Sequence, residues 1–192
     1  MRGYGKKVVY FHGLGGNGLN QNQDVLQYFA YFGIDLVSPT VDHQTFMKNP
    51  HLFPMLEELC KDADYIVGNS MGGYFAYHLG KSLGKKTLLF NPAISKITTS
   101  YNWFNSTTNY TPADDQEDTL LFLATHDDVV DHRQTRAFLT KEGYDTNRVE
   151  NLVNETHSLD FMLIVNKIFE FTDTQRYKTT TDETETTEAN SN

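Results

Sequence analysis

The chain has 192 residues, 39% of them hydrophobic with 13 Phe and 11 Tyr, enough for one domain with a sizeable core and too few for two ordinary ones. A formal net charge of −9 argues against general binding to nucleic acid or to an anionic membrane, since both demand a basic surface. The one cysteine, Cys60, excludes an intramolecular disulfide and a cysteine-based zinc site.

No N-terminal apolar segment resembles a signal peptide and no run is long enough to span a bilayer, so the expected location is the cytoplasm. Along the chain, strand and helix signals alternate with short connections. Residues 7–11 form a continuous apolar run that stops at His12-Gly13. Val25, Leu26, Phe29 and Phe32 then fall on one helical face, which Gly33 ends. Residues 34–37 read as a buried strand closed by Ser38-Pro39. Met55, Leu56, Leu59 and Cys60 recur at helical spacing, which makes Cys60 a small buried hydrophobe rather than a reactive thiol.

The apolar run 65–67 leads into Gly68-Asn69-Ser70-Met71-Gly72, a Gly-x-Ser-x-Gly pattern between a strand and a helix. A strand that reverses at once into a helix forces its turn residue into a strained backbone, and flanking glycines let the two elements pass closely. Ser70 is thereby presented at the tip of the sheet, with the Met71 N–H aimed where an oxyanion would form. Gly72, Ala76, Leu79 and Leu83 give the following helix a narrow, small-residue face, and Gly84 stands where a terminating glycine belongs.

Residues 87–90 are the next strand, ended by Asn91-Pro92, and a polar Asn/Thr-rich stretch follows over 95–118, too short and polar for a large apolar lid. Strand signals return at 119–124, a helical pattern runs through Ala137 and Leu139, a last strand spans 148–153, and a closing helix covers 159–171. Continuous apolar strands alternating with helices predict one α/β domain over 1–172, a mostly parallel sheet covered on both faces. Residues 173–192 contain seven Thr, five acidic and two basic residues, with Tyr177 the only large hydrophobe. Such a segment cannot offset the entropy of ordering it, so it is expected to be a disordered polar tail.

A serine hydroxyl is a poor nucleophile unless a base takes its proton, and an acid must orient that base. On this fold the acid should follow a later strand and the histidine the last one. Asp127 stands after the strand 119–124 and His157 after the strand 148–153, in that chain order. Asp128 competes as the acid, but the pattern Asp-x-Val-Val, with valines anchoring the segment, selects Asp127. Asp131 is better read as a helix cap. The second oxyanion donor is expected from His12-Gly13-Leu14-Gly15-Gly16, through the N–H of Leu14, with His12 ordering the turn. A phosphate-binding reading of that turn lacks both the Gly-x-Gly-x-x-Gly spacing and a following Lys-Ser/Thr. His43 and His51 fall in loops bordering the cleft, His78 lies two helical turns past Ser70, and nothing near His126 and His132 fixes a full set of metal ligands.

With these residues in place, the chain resembles the α/β-hydrolase superfamily over nearly all of its folded length. Within it, the chain is similar to the small lid-less bacterial esterases of the YqiA/YcfP-like group. The closer match is carried by Tyr10-Phe11-His12-Gly13, Gly68-Asn69-Ser70-Met71-Gly72-Gly73-Tyr74, Asn91-Pro92-Ala93 and Asp127-Asp128-Val129-Val130-Asp131-His132-Arg133. The resemblance implies Ser70 as nucleophile, Asp127 as acid and His157 as base. It implies hydrolysis of a small-molecule carboxylic ester or acyl thioester without a cofactor. His126 departs from the pattern, where a glycine is common before the aspartate. A catalytically silent hydrolase fold used for binding and a plain α/β binding domain are the readings from other classes. The polar, Asn- and Thr-rich loops would also suit a bacteriophage protein acting in a host cytoplasm.

Overall fold

The computed structural model describes residues 5–18, 22–43, 51–95 and 118–172. Six strands form one sheet: β1 (Lys6–Phe11), β2 (Ile34–Val37), β3 (Tyr65–Asn69), β4 (Lys86–Phe90), β5 (Thr119–Ala124) and β6 (Val149–Leu152). Their order across the sheet is β2-β1-β3-β4-β5-β6, and every neighbouring pair is parallel. Parallel strands need crossover helices, and both faces must then be covered. This is why Val8 to Phe11, Ile66 to Gly68 and Leu88 to Phe90 are buried without alternation.

Among the described residues five α-helices supply the cover: α1 (Gln23–Tyr31), α2 (Leu52–Cys60), α3 (Met71–Leu83), α4 (His132–Lys141) and α5 (Phe161–Phe171). One face packs Val9, Phe11, Ile66 and Leu89 against Leu56 and Cys60 of α2, Phe75 and Leu79 of α3 and Leu139 of α4. The other packs Val8, Tyr10, Val67 and Phe90 against Phe29 of α1 and Val165 and Phe169 of α5, with the Phe29 and Phe169 rings stacked at 5.2 Å. Burial of the Cys60 thiol pushes its pKa up to about 12, so it behaves as the buried hydrophobe its spacing predicts.

The ends of the elements follow local chemistry. Asp131 caps α4 by accepting from Arg133 N at 2.8 Å, and Asp160 caps α5 by accepting from Met162 N at 2.7 Å. The Asp160 cap sets the start of α5 at Phe161, two residues later than the apolar pattern alone predicts, and β6 is likewise one residue shorter at each end. Lys6 Nζ donates to the carbonyl of Thr172, tying the end of α5 to β1. The 95–118 segment lies outside the described residues except at its two ends, and the whole 173–192 tail lies outside them. Among the described residues nothing forms a lid, and no helix is long and apolar enough to cross a membrane.

Candidate active site

The crossovers from β3 and β5 and the segment after β6 all leave the same edge of the sheet, the carboxyl ends of its strands, where open α/β sheets hold their ligands. Ser70 is the one residue between β3 and α3. Its backbone has φ 55° and ψ −117°, a region that costs a non-glycine residue about 1–3 kcal/mol. Surrounding backbone bonds impose it: Ser70 N–H donates to the Phe90 carbonyl at 2.9 Å, and the Ser70 carbonyl accepts from Ala93 N–H at 2.9 Å. The glycines beside it have no room for a side chain. A Cβ on Gly72 would stand 2.1 Å from the Phe11 carbonyl oxygen, and one on Gly68 would stand 2.3 Å from the Gly72 oxygen. A serine at a helix start commonly caps it; Ser70 does not, and its hydroxyl is directed elsewhere.

That hydroxyl meets His157. Ser70 Oγ and His157 Nε2 are 2.8 Å apart, and His157 Nδ1 lies 2.8 and 3.0 Å from the two oxygens of Asp127. With the Asp127 carboxylate accepting, Nδ1 carries the ring proton and Nε2 faces the serine as an acceptor. The side chain of Asp127 is 1% exposed, and its Oδ1 also accepts from Val129 N–H at 2.8 Å and Val130 N–H at 2.7 Å. These two bonds give the physical basis for choosing Asp127 over Asp128, and they amend the sequence reading. Val130 is buried and anchors the segment, whereas Val129 is half exposed and contributes its N–H instead.

The His12-to-Gly16 turn passes against the serine: a Cβ on Gly13 would lie 3.2 Å from Ser70 Cβ. His12 Nδ1 donates to the Gly13 carbonyl at 2.7 Å, which leaves Nε2 to accept from Val41 N–H at 3.0 Å. His12 therefore pins the turn from both sides and is no base for Ser70. The Leu14 side chain is exposed at the tip of this turn, and Met71 opens α3. His43 does not border an open cleft. It is buried, stacked on Phe75 and edge-on to His12, and burial foremost lowers its pKa to about 4. His78 is held against the rings of Tyr74 and Tyr77, and burial lowers its pKa to about 3. Exposed His51 precedes α2. Among the described residues no group of three or more His, Cys, Asp or Glu side chains could hold a metal ion.

Asn91 is a member of this neighbourhood that strand-end reasoning leaves without a role. It is 1% exposed, at φ 42°, and its side chain bonds to the backbone of both later segments. The sequence signal is a polar residue set directly after four buried strand residues and before a proline.

The family model for an uncharacterised protein family, UPF0227, matches residues 7–173, and the chain belongs to that family. Its fold is similar to that of solved structures of α/β-hydrolase type. A hydrolase assigned to that superfamily from Xanthomonas campestris pv. campestris aligns at TM-score 0.57 and 14% identity, covering 88% of this chain and 96% of the other. Acyl-protein thioesterase 2 of Zea mays aligns at TM-score 0.56 and 15% identity over 89% of this chain and 94% of its own. The esterase PE8 aligns at 0.54 and 16% identity over 88% and 93%. No curated protein matches the sequence.

Proposed function

We propose that the chain is a serine hydrolase that cleaves carboxylic esters through an acyl-enzyme. Ser70 Oγ attacks the acyl carbonyl while His157 Nε2 takes its proton, and Asp127 holds the imidazole in the right tautomer and supports its positive charge. The N–H groups of Met71 and Leu14 bind the oxyanion. The carbon–oxygen bond to the leaving group then breaks as His157 returns the proton to the departing alcohol. Water, activated by the same histidine, releases the acid and restores Ser70. No cofactor is needed for any of these steps.

The observation that carries this reading is the unbroken line from Ser70 Oγ through His157 to a buried, doubly bonded Asp127, built on a serine held at φ 55°. An esterase and a thioesterase among the similar folds support the class. An acidic chain with one buried cysteine fits a small soluble acyl substrate in the cytoplasm rather than nucleic acid or a membrane.

A fluorophosphonate probe tests it, because only an activated serine is labelled. The wild-type chain should be labelled and the Ser70→Ala variant should not. An unlabelled wild type would overturn the reading and favour a binding role for the fold. Parallel assays with p-nitrophenyl esters and acyl thioesters of matched chain length then separate ester from thioester preference, since a thiol leaves by the same route.

A further inference from the structure

One buried side chain touches both strand-end segments that carry the acid and the base. Asn91 follows β4 at φ 42°, a left-handed conformation that asparagine tolerates better than most residues. Its Oδ1 accepts from Ala124 N–H at 2.7 Å, at the end of β5 and three residues before Asp127. Its Nδ2 donates to the carbonyls of Thr156 and His157, each at 3.3 Å. Its own N–H donates to the Phe122 carbonyl at 2.9 Å.

The residues around it complete the junction. The Phe90 carbonyl accepts from Ser70 N–H, the Ala93 N–H donates to the Ser70 carbonyl, and Pro92 packs where Gly73 leaves room. The four residues 90–93 therefore bond to the serine turn, to the strand leading to the acid and to the loop carrying the histidine. We infer that Asn91 is a positioning residue for the hydrolytic reaction, setting the distance from the His157 loop to Ser70 through the histidine's own backbone. The amide suits this task because it accepts from one segment and donates to the other, and it is desolvated enough for both bonds to count.

The inference rests on the serine-hydrolase reading, so its test separates the two. Asn91→Gly keeps the positive φ without strain and deletes the bridge. Asn91→Asp keeps the volume and the acceptor toward Ala124, but sets a carboxylate oxygen against two carbonyls. Each variant is compared with wild type in p-nitrophenyl butyrate hydrolysis, in the rate of fluorophosphonate labelling, and in the downfield proton resonance of the His157–Asp127 bond. Thermal melts fix the temperature at which all are folded.

The expected result is a kcat lower by roughly 10- to 100-fold, the loss typical of reacting groups misplaced by about 1 Å, with KM little changed. The labelling rate should fall in proportion, and the downfield resonance should shift or broaden. Wild-type kcat and labelling in a folded Asn91→Gly variant would overturn this inference alone, whereas an unlabelled wild type would overturn the hydrolase reading. A rise in KM with unchanged kcat would also overturn it. Failure of both variants to fold would assign Asn91 to the fold instead.

Discussion

Around Ser70 the chain is held by backbone meeting backbone, while around Asp127 and His157 it is held by polar side chains reaching across sequence. On the serine side, Gly72 lets α3 lie against the Phe11 carbonyl, and Gly68 lets it lie against β3. On the other side, Asp127 and His157 sit on separate loops, joined by their own hydrogen bonds and by the Asn91 amide. The first arrangement is steric, local and nearly independent of pH. The second is electrostatic and assembled from segments that meet only in the folded chain. Rigidity without side chains fixes the proposed nucleophile; buried hydrogen bonds fix its partners.

The largest effect should come from cutting the line where the two sides meet. Ser70→Ala and His157→Ala should each lower ester hydrolysis by about 10⁶-fold, with the double variant little worse than either, because such groups act as a unit. Steady-state kinetics on the three variants checks this, and additive losses would show that the histidine does not serve the serine. One step down in size is the acid. Asp127→Asn should leave the fold in place and lower kcat by roughly 10⁴-fold, and Asp128→Asn should have only a small effect, because its side chain lacks the Val129 and Val130 bonds.

The steric side is tested through stability. Gly72→Ala drives a methyl into the Phe11 and His12 carbonyls, which cannot move aside, so α3 must lift from β1 at a cost of about 3 kcal/mol or more. Gly84→Ala, at φ 59° with open space around it, should cost only about 1 kcal/mol. Urea denaturation of both variants measures the difference, and equal losses would mean that the close approach of α3 is not what constrains Gly72.

The last test sharpens the contrast in pH dependence. His43 is buried under the His12 turn with its pKa lowered to about 4. The unfolded chain binds that proton near pH 6.5 and the folded chain resists it, so the stability is full above 6.5 and drains away as the pH falls toward 4. By pH 4.5 the loss from this group should be on the order of 2 kcal/mol. His43→Phe, which preserves the stacking on Phe75, should flatten that part of a denaturation series between pH 7 and 4.5. An unchanged slope would assign the acid sensitivity to other groups, His78 first among them.

The same division decides what could be read from the sequence. Five residues around Ser70 state their geometry outright, since only glycine fits where backbones touch. The strands are legible for a similar reason: burial on both faces leaves continuous apolar runs. Asp127 and His157 are nominated only by combining strand ends with chain order. The preference for Asp127 over Asp128 rests in the sequence on two anchoring valines, whereas in the structure His157 meets Asp127 and Val129 contributes its N–H and not burial. Asn91 gives no periodic signal at all. Its role depends on two carbonyls 65 and 66 residues away along the chain.

The positive φ at Ser70 has a consequence for descent within the family. A glycine there would relieve the turn of its strain, so Ser70→Gly should gain stability while removing the hydroxyl proposed to react. Serine at this position therefore carries a backbone strain that a glycine would not. Relatives that retain the turn but carry glycine in place of the serine are the ones to examine for a life as binding proteins.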